Sequence, residues 1–125
     1  MKQVLLDSNF IITCVRQKID FFEKIENFGL EILVPEQVMK EIEKLTKYGS
    51  SLKLRNQAEL SLKILKANKS SFKKVKLKSR NVDNGIKKFA DSNPDAIIAT
   101  LDRELKKRTS NRKLVIRDMT KLEII

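Results

Sequence analysis

Four acids, Asp7, Glu41, Asp83 and Asp102, stand in this sequence where they can act together. Asp7 directly follows the apolar run Val4-Leu5-Leu6, and Asp102 comes three residues after Ala96-Ile97-Ile98-Ala99. Asp83 opens a helical stretch whose apolar positions are Val82, Ile86, Phe89 and Ala90. Glu41 lies about two turns into another helix, on the flank of a face made by Val38, Ile42 and Leu45. In a parallel sheet flanked by helices, all four fall on the rim outside the carboxyl ends of the strands, where such sheets bind ligands. Carboxylates gathered without histidine or cysteine make a hard-ligand site suited to Mg²⁺ or Mn²⁺. Without an ion they repel one another and some must hold a proton. A divalent cation removes that penalty, acidifies a water and offsets the charge of a phosphate oxygen. Singly, each acid has a plainer role, since Asp7, Asp83 and Asp102 are good helix caps and Glu41 is an ordinary solvated helix residue. Their joint placement carries the reading.

Other chemistries are closed off by composition. The 125 residues contain no histidine, so no Ser-His-Asp or Cys-His nucleophile pair and no His-ligated zinc site is available. Cys14 is the single cysteine, which excludes an internal disulfide. Lys+Arg 27 against Asp+Glu 16 gives a net charge of +11, an excess that calls for an anionic partner. Nucleic acid fits best, and an anionic metal site on so basic a protein fits cleavage of a phosphodiester. No apolar stretch is long enough to span a bilayer. The first residues lead into a strand without a signal-peptide core, and the thiol is unpaired, so a cytoplasmic location is expected.

The elements that must position the acids follow from hydrophobic periodicity. Buried strands are expected at Val4–Leu6, Leu30–Val34, Ala96–Ala99 and Leu114–Ile116, a half-exposed one at Phe72–Leu77, and an edge strand at 122–125. Helices are expected around Phe10–Val15, Ile19–Phe28, Val38–Leu45, Leu54–Leu65, Val82–Ala90 and, as a short basic turn, Asp102–Arg108. Pro35 suits the first turn of the third. Strands alternating with helices predict the α/β class, with a mainly parallel sheet of about five strands and one domain over residues 1–125.

On those residues the sequence resembles the PIN-domain ribonucleases over nearly its whole length. The stretches that carry the likeness are VLLDSNFII at 4–12, LVPEQVMKEIEKL at 33–45, VDNGI at 82–86 and IIATLDRELKKR at 97–108. The last is similar to small archaeal PIN proteins and to PIN domains that process pre-ribosomal RNA. The resemblance implies a three-layer α/β/α sandwich and a Mg²⁺- or Mn²⁺-dependent endonuclease acting on single-stranded or structured RNA. It implies Asp7, Glu41, Asp83 and Asp102 as metal-coordinating acids, with Ser8, Asn9 and Thr100 orienting the acids, a water or the scissile phosphate. The implied reaction is attack of a metal-activated water on phosphorus. Where many relatives carry a second acid in the third motif, this chain has Asn84. Asp91 and Asp95 lie nearby but outside the motif, and Glu43 would replace Glu41 only if Val38 and Ile42 turned outward.

Two basic runs complete the picture. Lys63, Lys66, Lys69, Lys73, Lys74, Lys76, Lys78 and Arg80 occur without an intervening acid, as a nucleic-acid track or as lysines that blunt an edge strand. Arg103, Lys106, Lys107 and Arg108, followed by Arg112 and Lys113, adjoin Asp102 and are expected to grip the RNA backbone. RNA processing is the leading role. A toxin ribonuclease of a toxin–antitoxin pair, and a non-cutting PIN-like protein that binds RNA or a ribosomal partner, remain alternatives. A homodimer, an antitoxin and a ribosomal component are the further candidate partners. A haloacid-dehalogenase-type phosphatase is disfavoured, because Asn9 stands where that chemistry wants a second Asp. No glycine-rich phosphate loop is present.

Overall fold

Val4, Leu5 and Leu6 are consecutive, apolar and wholly buried, which a strand achieves only when both faces of its sheet are covered. The computed structural model of the chain describes residues 1–125 and places these residues in β1, Gln3–Leu6. There follow α1 (Ser8–Arg16), α2 (Phe21–Asn27), β2 (Glu31–Pro35), α3 (Glu36–Tyr48) and α4 (Leu52–Ala67). After a 3-10 turn at Lys69–Ser71 come β3 (Lys73–Val75), α5 (Val82–Ser92), β4 (Ile97–Ala99), α6 (Arg103–Arg108), β5 (Lys113–Arg117) and β6 (Lys121–Ile124). None of the helices is long and apolar enough to cross a membrane.

The sheet runs β3-β2-β1-β4-β5-β6, with every neighbour parallel except β6, which is antiparallel to β5. Six strands form where about five were expected, because Leu114–Arg117 pairs with Lys121–Ile124 across a tight turn. Asp118 and Met119 hold that turn in left-handed conformation, with φ of 52° and 61°. The half-exposed strand is shorter than periodicity suggests. Only Lys73–Val75 pairs with β2, and Leu77 leaves the ladder because a side chain supplies its partner. Gln37 Nε2 donates to the Leu77 carbonyl at 2.9 Å, and the Leu77 amide donates to Gln37 Oε1 at 3.1 Å.

Alternation along the strands sorts the core into two layers. Val4, Leu6, Ile32, Val34, Ile97 and Ala99 face the larger one, filled by Phe10, Phe21, Ile25, Val38, Ile42 and Leu65 of α1–α4. Leu5, Leu33 and Ile98 face the smaller one, closed by Ile86 and Ala90 of α5, Leu105 of α6 and Leu77. The result is a three-layer α/β/α sandwich. Because α5 follows β3 at one sheet edge and β4 lies beyond β1, the strand order reverses between β1 and β4. That switch point opens a crevice at the carboxyl ends of these two strands.

Leu77 and α5 approach closely at Gly85, where an added Cβ would meet Leu77 Cβ at 2.8 Å. Ala is about 1 kcal/mol better than Gly in a helix interior, but overpacking costs about 1–3 kcal/mol. Gly85→Ala is therefore expected to lower the melting temperature by a few degrees. A rise, measured by thermal unfolding, would show that Leu77 yields without strain.

Candidate functional site

The site begins with the end of β1. The Asp7 amide donates to the Ala99 carbonyl at 2.9 Å, which continues the β1–β4 pairing and draws the Asp7 side chain into the crevice beside Thr100. Asp7 is the N-cap of α1, its Oδ1 accepting from the Ser8 amide at 2.8 Å. Its Oδ2 accepts from the Thr100 hydroxyl at 2.8 Å. Only 4% of its surface is exposed. Burial pushes its pKa up to about 6, against the lowering effect of the Thr100 and Ser8 hydrogen bonds; the charges of Glu41 and Asp83 raise it further.

Ser8 and Thr100 tie the neighbouring acids to this carboxylate, Ser8 through its amide and hydroxyl and Thr100 through its hydroxyl. Ser8 Oγ donates to Glu41 Oε1, linking α1 to α3. Thr100 is wholly buried; its Oγ1 also accepts from the Asp102 amide at 3.1 Å. Asn9 Oδ1 accepts from the Leu101 amide at 3.0 Å, so the loop after β4 is held to α1 from both sides. Asp102 caps α6, its Oδ1 accepting from the Glu104 and Leu105 amides at 2.8 and 3.1 Å. Asp83 lies in the first turn of α5; the cap there is Asn81, whose Oδ1 accepts from the Asn84 amide. Asp83 is therefore left free of capping duty.

The molecule has four ion pairs, and none involves Asp7, Glu41, Asp83 or Asp102. A donor set of oxygen ligands, negative, partly desolvated and without a cationic partner, fits a hard divalent ion. As they stand, no three acids are gathered closely enough to enclose one. Glu41 is turned to Ser8, and one oxygen of Asp102 is taken up by the α6 amides. The acids outside the motif have other places. Glu43 is exposed on the outer face of α3, Asp91 pairs with Lys87 at 2.6 Å, and Asp95 lies near Met1 and Lys2 at the opposite end of the strands.

The basic residues beyond Asp102 divide into two kinds. Arg103 and Lys107 are exposed and without ion pairs, and Lys106 is half-buried. Arg108 donates through Nη2 to Asn84 Oδ1 at 3.0 Å, so Asn84 joins α5 to α6. Lys113 is not available to a nucleic acid. It is buried in β5, and its Nζ donates to the carbonyls of Thr109 and Asn111 just beyond α6. Burial, with the charge of Lys106, holds its pKa below the usual lysine range.

Sequence reasoning missed Gln37. One turn before Glu41 on α3, it grips both backbone groups of Leu77 and so sets the start of the segment that leads to Asp83. The available signal is its position four residues ahead of Glu41, on the same side of the helix.

Comparison with known proteins agrees with this architecture. A family model described as a PIN like domain matches residues 4–120. Ribonuclease VapC4 of Methanocaldococcus jannaschii is 29% identical over 119 residues, covering 93% of this chain and 88% of its own. A solved structure of the PIN domain endonuclease Utp24 matches with a TM-score of 0.78 and 25% identity, over 98% of this chain and 90% of its own.

The buried carboxylate makes a prediction about stability. The folded protein holds the Asp7 proton more tightly than the unfolded chain, whose carboxyl titrates near 3.8. Stability from this group is therefore full below pH 3.8 and falls as pH rises through about 6. At neutral pH the charged group costs roughly 2–3 kcal/mol. In Asp7→Asn, the Thr100 hydroxyl accepts from the new amide and turns its hydrogen toward Asn9 Oδ1, 3.4 Å away. This variant is expected to melt above the wild type at pH 7.5 in EDTA, the gain vanishing below about pH 4; a pH-independent difference would contradict the assignment. Gln37→Leu strips Leu77 of two hydrogen bonds and is expected to cost about 1–3 kcal/mol, measured by denaturant unfolding.

Proposed function

The chain belongs to the PIN-like domain family, and from that premise we propose that it is an endoribonuclease whose active site is the Asp7 crevice. The observation that carries this reading is the carboxylate of Asp7, buried without a cationic partner and linked by Ser8 to the Glu41 carboxylate and by Thr100 to the Asp102 amide. The names of its relatives, one a ribonuclease and one an endonuclease, support the same reaction class. In this reading a single domain spans residues 1–125, and Asp7, Glu41, Asp83 and Asp102 hold Mg²⁺ or Mn²⁺. Such an ion supplies positive charge against the scissile phosphate and acidifies the attacking water.

The chain's own residues do the rest. Thr100 donates to the Asp7 carboxylate and accepts from the Asp102 amide, which ties the end of β1 to the start of α6. Ser8 anchors Glu41 and steadies Asp7 through its amide. Asn9 holds the loop between β4 and α6, and the burial of Asp7, Ser8 and Thr100 keeps out water that would weaken their contacts. Arg103, Lys106 and Lys107 flank Asp102 and supply phosphate contacts. The 97–108 stretch favours RNA processing as the role, in a reducing cytoplasm suited to the free buried thiol of Cys14.

The direct test is cleavage of a labelled, partly structured RNA in Mn²⁺, Mg²⁺ or EDTA. Wild type is expected to cut only with metal. Asp7→Asn and Asp102→Asn, each checked for an intact thermal transition, are expected to fall to the EDTA level. An Asp7→Asn protein as active as wild type in Mn²⁺ would remove Asp7 from the site. Tight RNA binding without cutting in either metal would replace the enzyme by a binding protein.

A further inference from the structure

Beside Glu41 the surface sinks into a groove of about 310 Å³ lined by Gln37, Lys40, Glu41, Lys44, Arg80 and Val82. Three of these six are cations, and they come from separate places: Lys40 and Lys44 from α3, Arg80 from the loop between β3 and α5. None has a carboxylate within 4 Å, since the four ion pairs of the molecule lie elsewhere. Elsewhere on the helices, lysines do pair with acids four residues away, as Lys63 does with Glu59 and Lys87 with Asp91. Lys40 and Lys44 instead face each other at that spacing, a like-charge arrangement that costs a helix a few tenths of a kcal/mol. Glu41, the acid within the groove, is turned away to Ser8.

We propose that this groove is a phosphate subsite for the RNA strand, seating the backbone next to the scissile phosphate on the α3 side of the catalytic acids. The inference rests on the ribonuclease reading and deepens it. Unpaired cations that converge from two elements are relieved by an anion, and Arg80 adds a planar fork suited to phosphate oxygens. The lining is polar apart from Val82 and carries no aromatic ring, so it holds the backbone and does not stack bases. The α6 side offers less, because Arg108 is engaged by Asn84 and Lys113 is buried. A strand seated in the groove passes over Glu41 toward Asp7. None of Lys40, Lys44 and Arg80 belongs to the basic residues beyond Asp102, so their contribution is separable.

The experiment measures binding apart from cleavage. Affinity of wild type for labelled oligo(U) and oligo(A) is followed across salt concentrations in EDTA, beside Lys40→Ala/Lys44→Ala/Arg80→Ala and Lys106→Ala/Lys107→Ala. The triple variant is expected to bind tenfold or more weakly at low salt, with the slope of log K against log salt reduced by about 2, equally for both RNAs. Lys40→Ala alone should remove about 0.7 of that slope. These side chains line an open groove and lack ion pairs, so the melting temperature should hold, and the single variant serves as a check if it does not. A triple variant with wild-type affinity and slope overturns the subsite, as does a wild type without affinity for RNA. If wild type cuts RNA in Mn²⁺ while the slope is unmoved, the nuclease stands and the groove falls. If the slope drops but neither metal gives cutting, the groove stands and the nuclease falls.

Discussion

The carboxyl rim of this protein depends on holding one carboxylate, Asp7, where water scarcely reaches. A buried anion without a cation beside it is costly, and it persists only where its surroundings are fixed. Here they are fixed by backbone: the Asp7 amide bonds to Ala99, and the Ser8 amide bonds to the carboxylate itself. The pairing of β1 with β4 thus does two things at once. It closes the sheet at the switch point, and it delivers Thr100 to the second oxygen of Asp7.

The remaining acids are tied to that anchor by unequal means. Glu41 is reached through the amide and hydroxyl of Ser8, and the Asp102 backbone through the Thr100 hydroxyl, so α1, α3 and α6 share one small polar network inside an apolar frame. Asp83 stands outside it. Its position comes from packing, through Leu77 against Gly85 and through the grip of Gln37 on the Leu77 backbone. A polar network sets three acids and a steric fit sets the fourth. The smaller core layer therefore matters to the site even though it contributes no acid beyond α5 and α6.

Charge is distributed with the same economy. The net charge of +11 is not spread evenly in its availability, because some cations are already engaged. Lys73 pairs with Glu31 at the sheet edge, Lys113 donates to the carbonyls that follow α6, and Arg108 bridges to α5. Lys40, Lys44 and Arg80 are free and concave, and they flank an acid. A negative centre beside a positive groove is the arrangement a polyanion needs when one of its phosphates must meet a metal.

The α/β class, all six helices and the central strands were legible because each depends on short-range pattern. Val4–Leu6 is apolar on both faces, Val38, Ile42 and Leu45 repeat at helical spacing, and Asp102 heads a basic turn. The sixth strand was legible only as an edge, since its pairing needs a two-residue left-handed turn that composition does not announce. The length of β3 was not legible at all. Period-two alternation continues to Leu77, but Gln37, forty residues earlier, takes the hydrogen bonds a strand would have used. Lys113 looks in sequence like its basic neighbours, and only its place in β5 buries it. By itself, then, the sequence determined which elements form and where along them the four acids stand, because residue type and periodicity act locally. Tertiary structure alone decided which hydroxyl meets which acid and which cations stay free, because those contacts join elements up to 93 residues apart and exist only once the sheet is closed.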